Sequence, residues 1–187
     1  MKRVMNCTAL YSVLLALAAT FLWMFFRWNA LLFIAITAGT VFYHIGVRLL
    51  IGCTFDRLLN NQVDFRNKWF QPFSLEKSLY ESFHVKQWKK KLPTYNASLF
   101  DPSLHSWADI VKAMCQAELI HEANIIVSFV PILFSVWFGC FPVFLITSVL
   151  AAGYDFLFVI LQRYNRPRVL RLAAREASSP QKRQMET

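Results

Sequence analysis

The sequence predicts an all-α polytopic membrane protein with four transmembrane helices and an interfacial helical cytosolic loop, and three observations carry that reading. Hydrophobic residues make up 56% of the 187 and charged residues only 17%, against about a quarter charged in soluble domains. From Ala123 to Tyr154 there is no charged residue, which is more chain than one span needs. Basic residues gather in two places, nine Lys and Arg between Cys53 and Ala117 and seven from Arg163 onward, as they do on the cytoplasmic side of membranes. The 18 phenylalanines and 6 tryptophans need apolar surroundings, so disordered, collagen-like and ordinary cytosolic classes are excluded.

The chain reads as a single membrane domain over 1–187, and its elements follow from where charge interrupts the apolar runs. The first span is expected at 5–26. Lys2 and Arg3 precede it like the basic start of a secretory signal, but the apolar run continues through Phe26, which is long for a signal peptide and adequate for a spanning helix. Arg27, Trp28 and Asn29 interrupt, and the second span is expected at 30–51. The segment 53–117 is too long for a structureless loop. Within it Ser78 followed by Glu81, and Ser106 followed by Asp109, have the spacing of capping boxes, and the second predicts a helix from near Trp107 into the third span. Trp69 to Leu92 mixes aromatic with basic residues, a combination that favours the headgroup layer. The stretch 123–162 would be about 60 Å as one helix; Gly139, Cys140, Phe141 and Pro142 divide it into spans at 122–140 and 142–163. The polar tail 178–187 is expected to be disordered.

Connections between spans one and two and between three and four hold one basic residue together, Arg27, against sixteen in the middle segment and tail. Both termini and the middle segment are therefore expected in the cytoplasm of a multi-pass protein of the cell membrane. Asn6 and Asn96, in N-x-S/T contexts, then lie on the wrong side for glycosylation. The four cysteines form no C-x-x-C pair, so neither a disulfide framework nor a metal site is expected, and nucleic acid is not an expected partner because the basic residues follow the membrane surface.

Ionisable groups at the depth of a membrane helix need a task or a partner. His121 and Gln162 each lie about twenty residues from the turn near 140, so they return to one level, and His44 and Arg48 lie four apart on one helix face near the same end. His44, Arg48, Glu118, His121, Glu122, Arg163, Asn165 and Arg166 are candidates to line one cavity. Glu118 and His121, at i and i+3, share a helix face, where a carboxylate orients an imidazole and raises its basicity. The alternative for each arginine is snorkelling to phosphates, with Glu118 and Glu122 as ion-pair partners. Asp155 suits a role inside the bundle or a neutral protonated state as well as catalysis, and His84 and His105 read as surface residues. There is no H-x-x-x-x-D, G-x-S-x-G, H-E-x-x-H or glycine-rich phosphate loop.

Three blocks, Ala117 to His121, Gln162 to Arg168 and Val85 to Lys91, resemble in order and spacing the glycosyl-4,4'-diaponeurosporenoate acyltransferases, small membrane enzymes that esterify a sugar hydroxyl of staphyloxanthin-type carotenoids with a fatty acid. The resemblance covers about residues 80 to 172. It implies an integral membrane O-acyltransferase acting on a glycosylated carotenoid or related glycolipid. The donor is expected to be acyl-CoA or an acyl carrier protein, with no cofactor. Such transfer needs a base for the hydroxyl proton and donors for the developing oxyanion. His121 oriented by Glu118 fits the base. Asn165 and Tyr164 fit the hydrogen-bond donors, and Arg163, Arg166 and Arg48 fit the phosphates of a donor. Arg168, Trp88 and Lys89, in the matching blocks, and His44 complete the expected substrate contacts; no covalent intermediate is required, and Cys115, one turn before Glu118, is the alternative as a covalent nucleophile. The competing class is a non-enzymatic lipid-binding or scaffold protein whose aromatic and basic loop docks on membrane lipids.

Overall fold

The computed structural model describes residues 2–73, 76–88, 92 and 96–185. Among them there is no strand. The long helices are α1 (Lys2–Phe26), α2 (Asn29–Leu59), α5 (Trp107–Val127) and α7 (Phe141–Met185), with the short helices α3 (Glu76–Ser82), α4 (Val85–Trp88) and α6 (Ser135–Phe138) between them. Four stretches are long and apolar enough to cross a membrane: Arg3–Phe26, Asn29–Leu59, Trp107–Phe138 and Phe141–Ser178. Their outward residues, Phe21, Phe25, Trp137 and Leu150 among them, are large, apolar and exposed, as lipid-facing side chains are.

The chain forms two compact units, Met1–Thr54 with Glu122–Phe156, and Phe55–His121 with Leu157–Thr187. In the first, α1 ends where Arg27 adopts φ 54° and its N–H reaches Trp23 O at 2.9 Å, a left-handed helix stop. The expected turn between the third and fourth spans is present: Gly139 and Cys140 have φ of 65° and 55°, and Gly139 N–H closes on Ser135 O at 2.9 Å. With ψ at −144°, Gly139 occupies backbone space essentially reserved for glycine. A Cβ there would meet nothing within 4 Å, so the cost of Gly139→Ala is purely one of backbone. It should lower stability by about 1–3 kcal/mol, read as a lower unfolding midpoint in detergent.

The third span differs from the continuous helix expected over 122–140. α5 stops at Val127 and a 3₁₀ stretch, Val130–Phe134, precedes α6. Pro131 explains the break, since its ring cannot coexist with a helical carbonyl four residues back. That carbonyl belongs to Val127 and accepts the Tyr43 hydroxyl at 3.0 Å, so the freed acceptor is satisfied inside the apolar unit.

The second unit surrounds a small core of Phe70, Val111 and Cys115, with Val63, Phe65, Leu119, Val169 and Leu170 packed on it. Asn60 and Asn61, at φ 44° and 55°, end α2 in the left-handed conformation that asparagine tolerates. Buried Gln116 holds that end, accepting from Asn61 N–H at 2.7 Å and donating to Asp56 at 2.8 Å. The Ser106 box caps α5 as expected: Ser106 Oγ accepts from Asp109 N–H at 3.2 Å and donates to the Asp109 carboxylate at 2.7 Å. Glu176 caps the neighbouring Trp107 N–H at 2.9 Å. Ser78, by contrast, lies inside α3, which starts at Glu76. The tail expected to be disordered continues α7 as helix to Met185.

Candidate active site

In the second unit the block at 162–168 is part of α7 and faces the end of α5 that carries Glu118. Glu118 has no solvent exposure and supports two guanidinium groups: Arg163 Nε donates to Oε1 at 2.8 Å and Arg166 Nη2 pairs with Oε2. Arg163 extends the network, donating to Glu76 Oε1 at 2.6 Å and to Trp69 O at 3.0 Å. Arg166 donates to Phe70 O at 2.9 Å and lies over the Phe70 ring. Two carboxylates thus face two arginines, so the cluster is close to neutral and its planar donors are fixed by paired acceptors. The same contacts hold the 3₁₀ turn Lys68–Phe70 and α3 against α7.

Tyr80 on α3 donates to the other Glu76 oxygen at 2.8 Å, and its ring meets Tyr164 edge-on with centroids 5.8 Å apart. Burial, and then the hydrogen bond to Glu76, push the Tyr80 phenol well above its usual value, so it remains a proton donor at neutral pH. Two clefts open beside this network. One, of about 400 Å³, is lined by Phe70, Gln71 and Arg166, the other, of about 460 Å³, by Phe73, Tyr80, Tyr164, Asn165 and Arg168. Both are walled by Pro72, Glu76, Arg163, Pro167 and Arg171. They fall within the usual size of small-molecule sites.

His121, half-buried, stacks on Phe158 with ring centroids 4.7 Å apart and planes 12° from parallel. It is not among the residues lining either cleft. Cys115 is buried in the core against Phe70 and Val111. His84 and His105 are exposed, as expected.

His44 and Arg48 belong to the first unit. Arg48, expected to reach a donor's phosphate, is occupied within its own unit: it meets Asp155 at 2.5 Å, Ala151 O at 2.8 Å and His44 O at 2.7 Å. Asn124 adds a hydrogen bond to the other Asp155 oxygen at 3.3 Å. Asp155 is therefore an ion-pair partner in the apolar part of the protein, where an isolated charge would be costly. His44 is buried beside the Tyr43 ring. Trp88 is the last residue of α4, and Lys89, Lys90 and Lys91 lie outside the described residues.

Glu76, Tyr80, Gln116 and Arg171 were not singled out from the sequence. An acid at 76 inside a basic and aromatic stretch, and a glutamine two residues before Glu118, are the signals that mark the first and third in retrospect. Tyr80 and Arg171 carry no comparable mark.

A family model described as glycosyl-4,4'-diaponeurosporenoate acyltransferase matches residues 66–175. That match begins beside the Lys68–Phe70 turn and includes α3, α5, the clefts and the whole Glu118 cluster. No curated protein and no solved structure matches the chain.

Proposed function

The chain belongs to the glycosyl-4,4'-diaponeurosporenoate acyltransferase family and is an acyltransferase, and we propose that it is an integral membrane enzyme that moves a fatty acyl group from a thioester to a sugar hydroxyl of a glycosylated carotenoid or related glycolipid. The observation that carries this reading is the block from Arg163 to Arg168, pinned by buried Glu118 so that Tyr164, Asn165 and Arg168 line a cleft. The family membership disposes of the non-enzymatic scaffold reading.

In the reaction His121 removes the proton of the attacking sugar hydroxyl as its oxygen bonds to the thioester carbon. Asn165 and Tyr164 donate hydrogen bonds to the oxygen that becomes negative. The carbon–sulfur bond then breaks, and the imidazolium returns the proton to the departing thiolate. Glu118 acts through the arginines it holds, setting the position of α7 beside α5. No covalent enzyme intermediate is needed.

In this reading both termini lie in the cytoplasm, where an activated donor is made, and the lipid acceptor enters from the bilayer; the basic middle segment and tail support that orientation. Labelling of single cysteines introduced at Lys86 and Arg171 in intact cells should find both protected from a membrane-impermeant reagent; ready labelling of either would reverse the orientation. The function itself is tested by mass spectrometry of lipids from cells with and without the gene. An acylated glycolipid lost with the gene, together with accumulation of its unacylated form, is the expected result; an unchanged glycolipid profile would reject the acceptor class.

A further inference from the structure

Arg163 and Arg166 do not offer a free charge to a substrate, because each is held by carboxylate and backbone oxygens. The same stretch of α7 carries two more arginines, Arg168 and Arg171, three residues apart and thus on one helix face. Both are exposed, both line the larger cleft, and Arg171 lines the smaller one as well. Neither is paired among the described residues. The rest of the larger cleft is walled by Pro72, Phe73, Tyr80, Tyr164 and Pro167, with Asn165 and the carboxylates of Glu81 and of Glu76, the latter paired to Arg163, a largely aromatic and apolar trough that ends at positive charge.

That arrangement suits a slender, mostly neutral ligand with an anionic end. An acyl thioester donor has no charge near its reacting carbon. The handle common to its two biological forms, acyl-CoA and an acylated carrier protein, is the phosphate on the pantetheine arm. Two adjacent guanidinium forks match phosphate oxygens through paired hydrogen bonds. We propose that Arg168 and Arg171 bind the phosphate of a phosphopantetheine-type acyl donor, whose arm lies along the cleft between α3 and α7. The inference rests on the acyl-transfer reading above and adds the donor's recognition element. Arginines that served only lipid phosphates would need no trough leading away from them.

The test uses the full-length protein in phospholipid-free detergent with two donors carrying the same acyl chain, S-acyl-pantetheine and S-acyl-4'-phosphopantetheine. The expected result is a preference of about tenfold or more in kcat/KM for the phosphorylated donor, in keeping with hydrogen bonds to a charged group. In R168Q/R171Q that ratio should fall to about one. R168K/R171K should retain an intermediate preference, because the charge survives without the fork. Acyl-CoA and acyl carrier protein, run in parallel, identify the natural source of the phosphate by which of them loses more in R168Q/R171Q. Equal use of the two pantetheine donors by the unaltered protein would overturn the proposal, as would a preference that survives in R168Q/R171Q. A preference erased by adding phosphatidylglycerol vesicles would assign the pair to lipid headgroups and overturn it too. Failure of the unaltered protein to use either donor would instead reject the thioester reading on which this one rests.

Discussion

Glu118→Ala should destabilise the second unit by about 3–5 kcal/mol, the usual consequence of removing one partner from a buried ion pair. The carboxylate is inaccessible to solvent and pairs with both Arg163 and Arg166; without it two guanidinium groups stay in a site built to neutralise them. Glu118→Gln should be milder yet clearly destabilising, since an amide keeps the shape and one acceptor but supplies no charge. Cys115 provides the measurement. Its thiol is fully buried one turn from Glu118, so its labelling by a thiol reagent, located by peptide mass spectrometry during a thermal ramp, reports opening of this unit. Labelling should begin at markedly lower temperature in Glu118→Ala. A midpoint equal to that of the unaltered protein would show that the arginines find other partners and that Glu118 does not anchor α7.

His121→Ala should reduce acyl transfer by about 10² to 10⁴, the range for loss of a general base, without shifting that Cys115 transition. The contrast with Glu118 is the point. His121 is half-buried and packs on Phe158, outside the fully buried carboxylate cluster of Glu118, so truncation removes a proton acceptor and a stacking contact. Turnover with labelled donor at saturating acceptor, beside the Cys115 ramp, separates chemistry from folding. Near-normal turnover would remove His121 from the role of base. Lost turnover with a collapsed Cys115 transition would make it a structural group.

Much of the fold was legible because membranes impose coarse rules. Runs without charge set the spans, and the Gly139–Pro142 sequence marked the turn that Gly139 and Cys140 form with positive φ. The Ser106 box marked the start of α5. The break at Pro131 is hidden from a reading by apolar composition, which is blind to a missing N–H, although the sequence contains the break that Tyr43 repairs. The site was legible as a set of residues more than as a set of roles. Spacing brought Glu118 into view as the partner of His121, one turn away on the same helix. The arginines that Glu118 holds come from α7, 45 residues later in the chain for Arg163, a pairing that no local period encodes. Likewise Arg48 read as a cation near a membrane surface, and only the packing of α7 beside α2 within the first unit shows it bonded to Asp155. The interfacial segment reads as a headgroup anchor from its composition, which gives no sign that Glu76 and Tyr80 on α3 form one wall of a cleft.

The central claim is that this protein esterifies a sugar hydroxyl of a membrane lipid. Its most direct test is reconstitution of the purified protein in nanodiscs with a glycosylated diaponeurosporenoate and an isotope-labelled acyl thioester, followed by tandem mass spectrometry of the product. The account predicts one labelled acyl group per acceptor, ester-linked to the sugar, formed by the unaltered protein and reduced at least a hundredfold in His121→Ala. Label found on the protein, on the carotenoid portion or only as free fatty acid, with no sugar ester at any donor concentration, would contradict it.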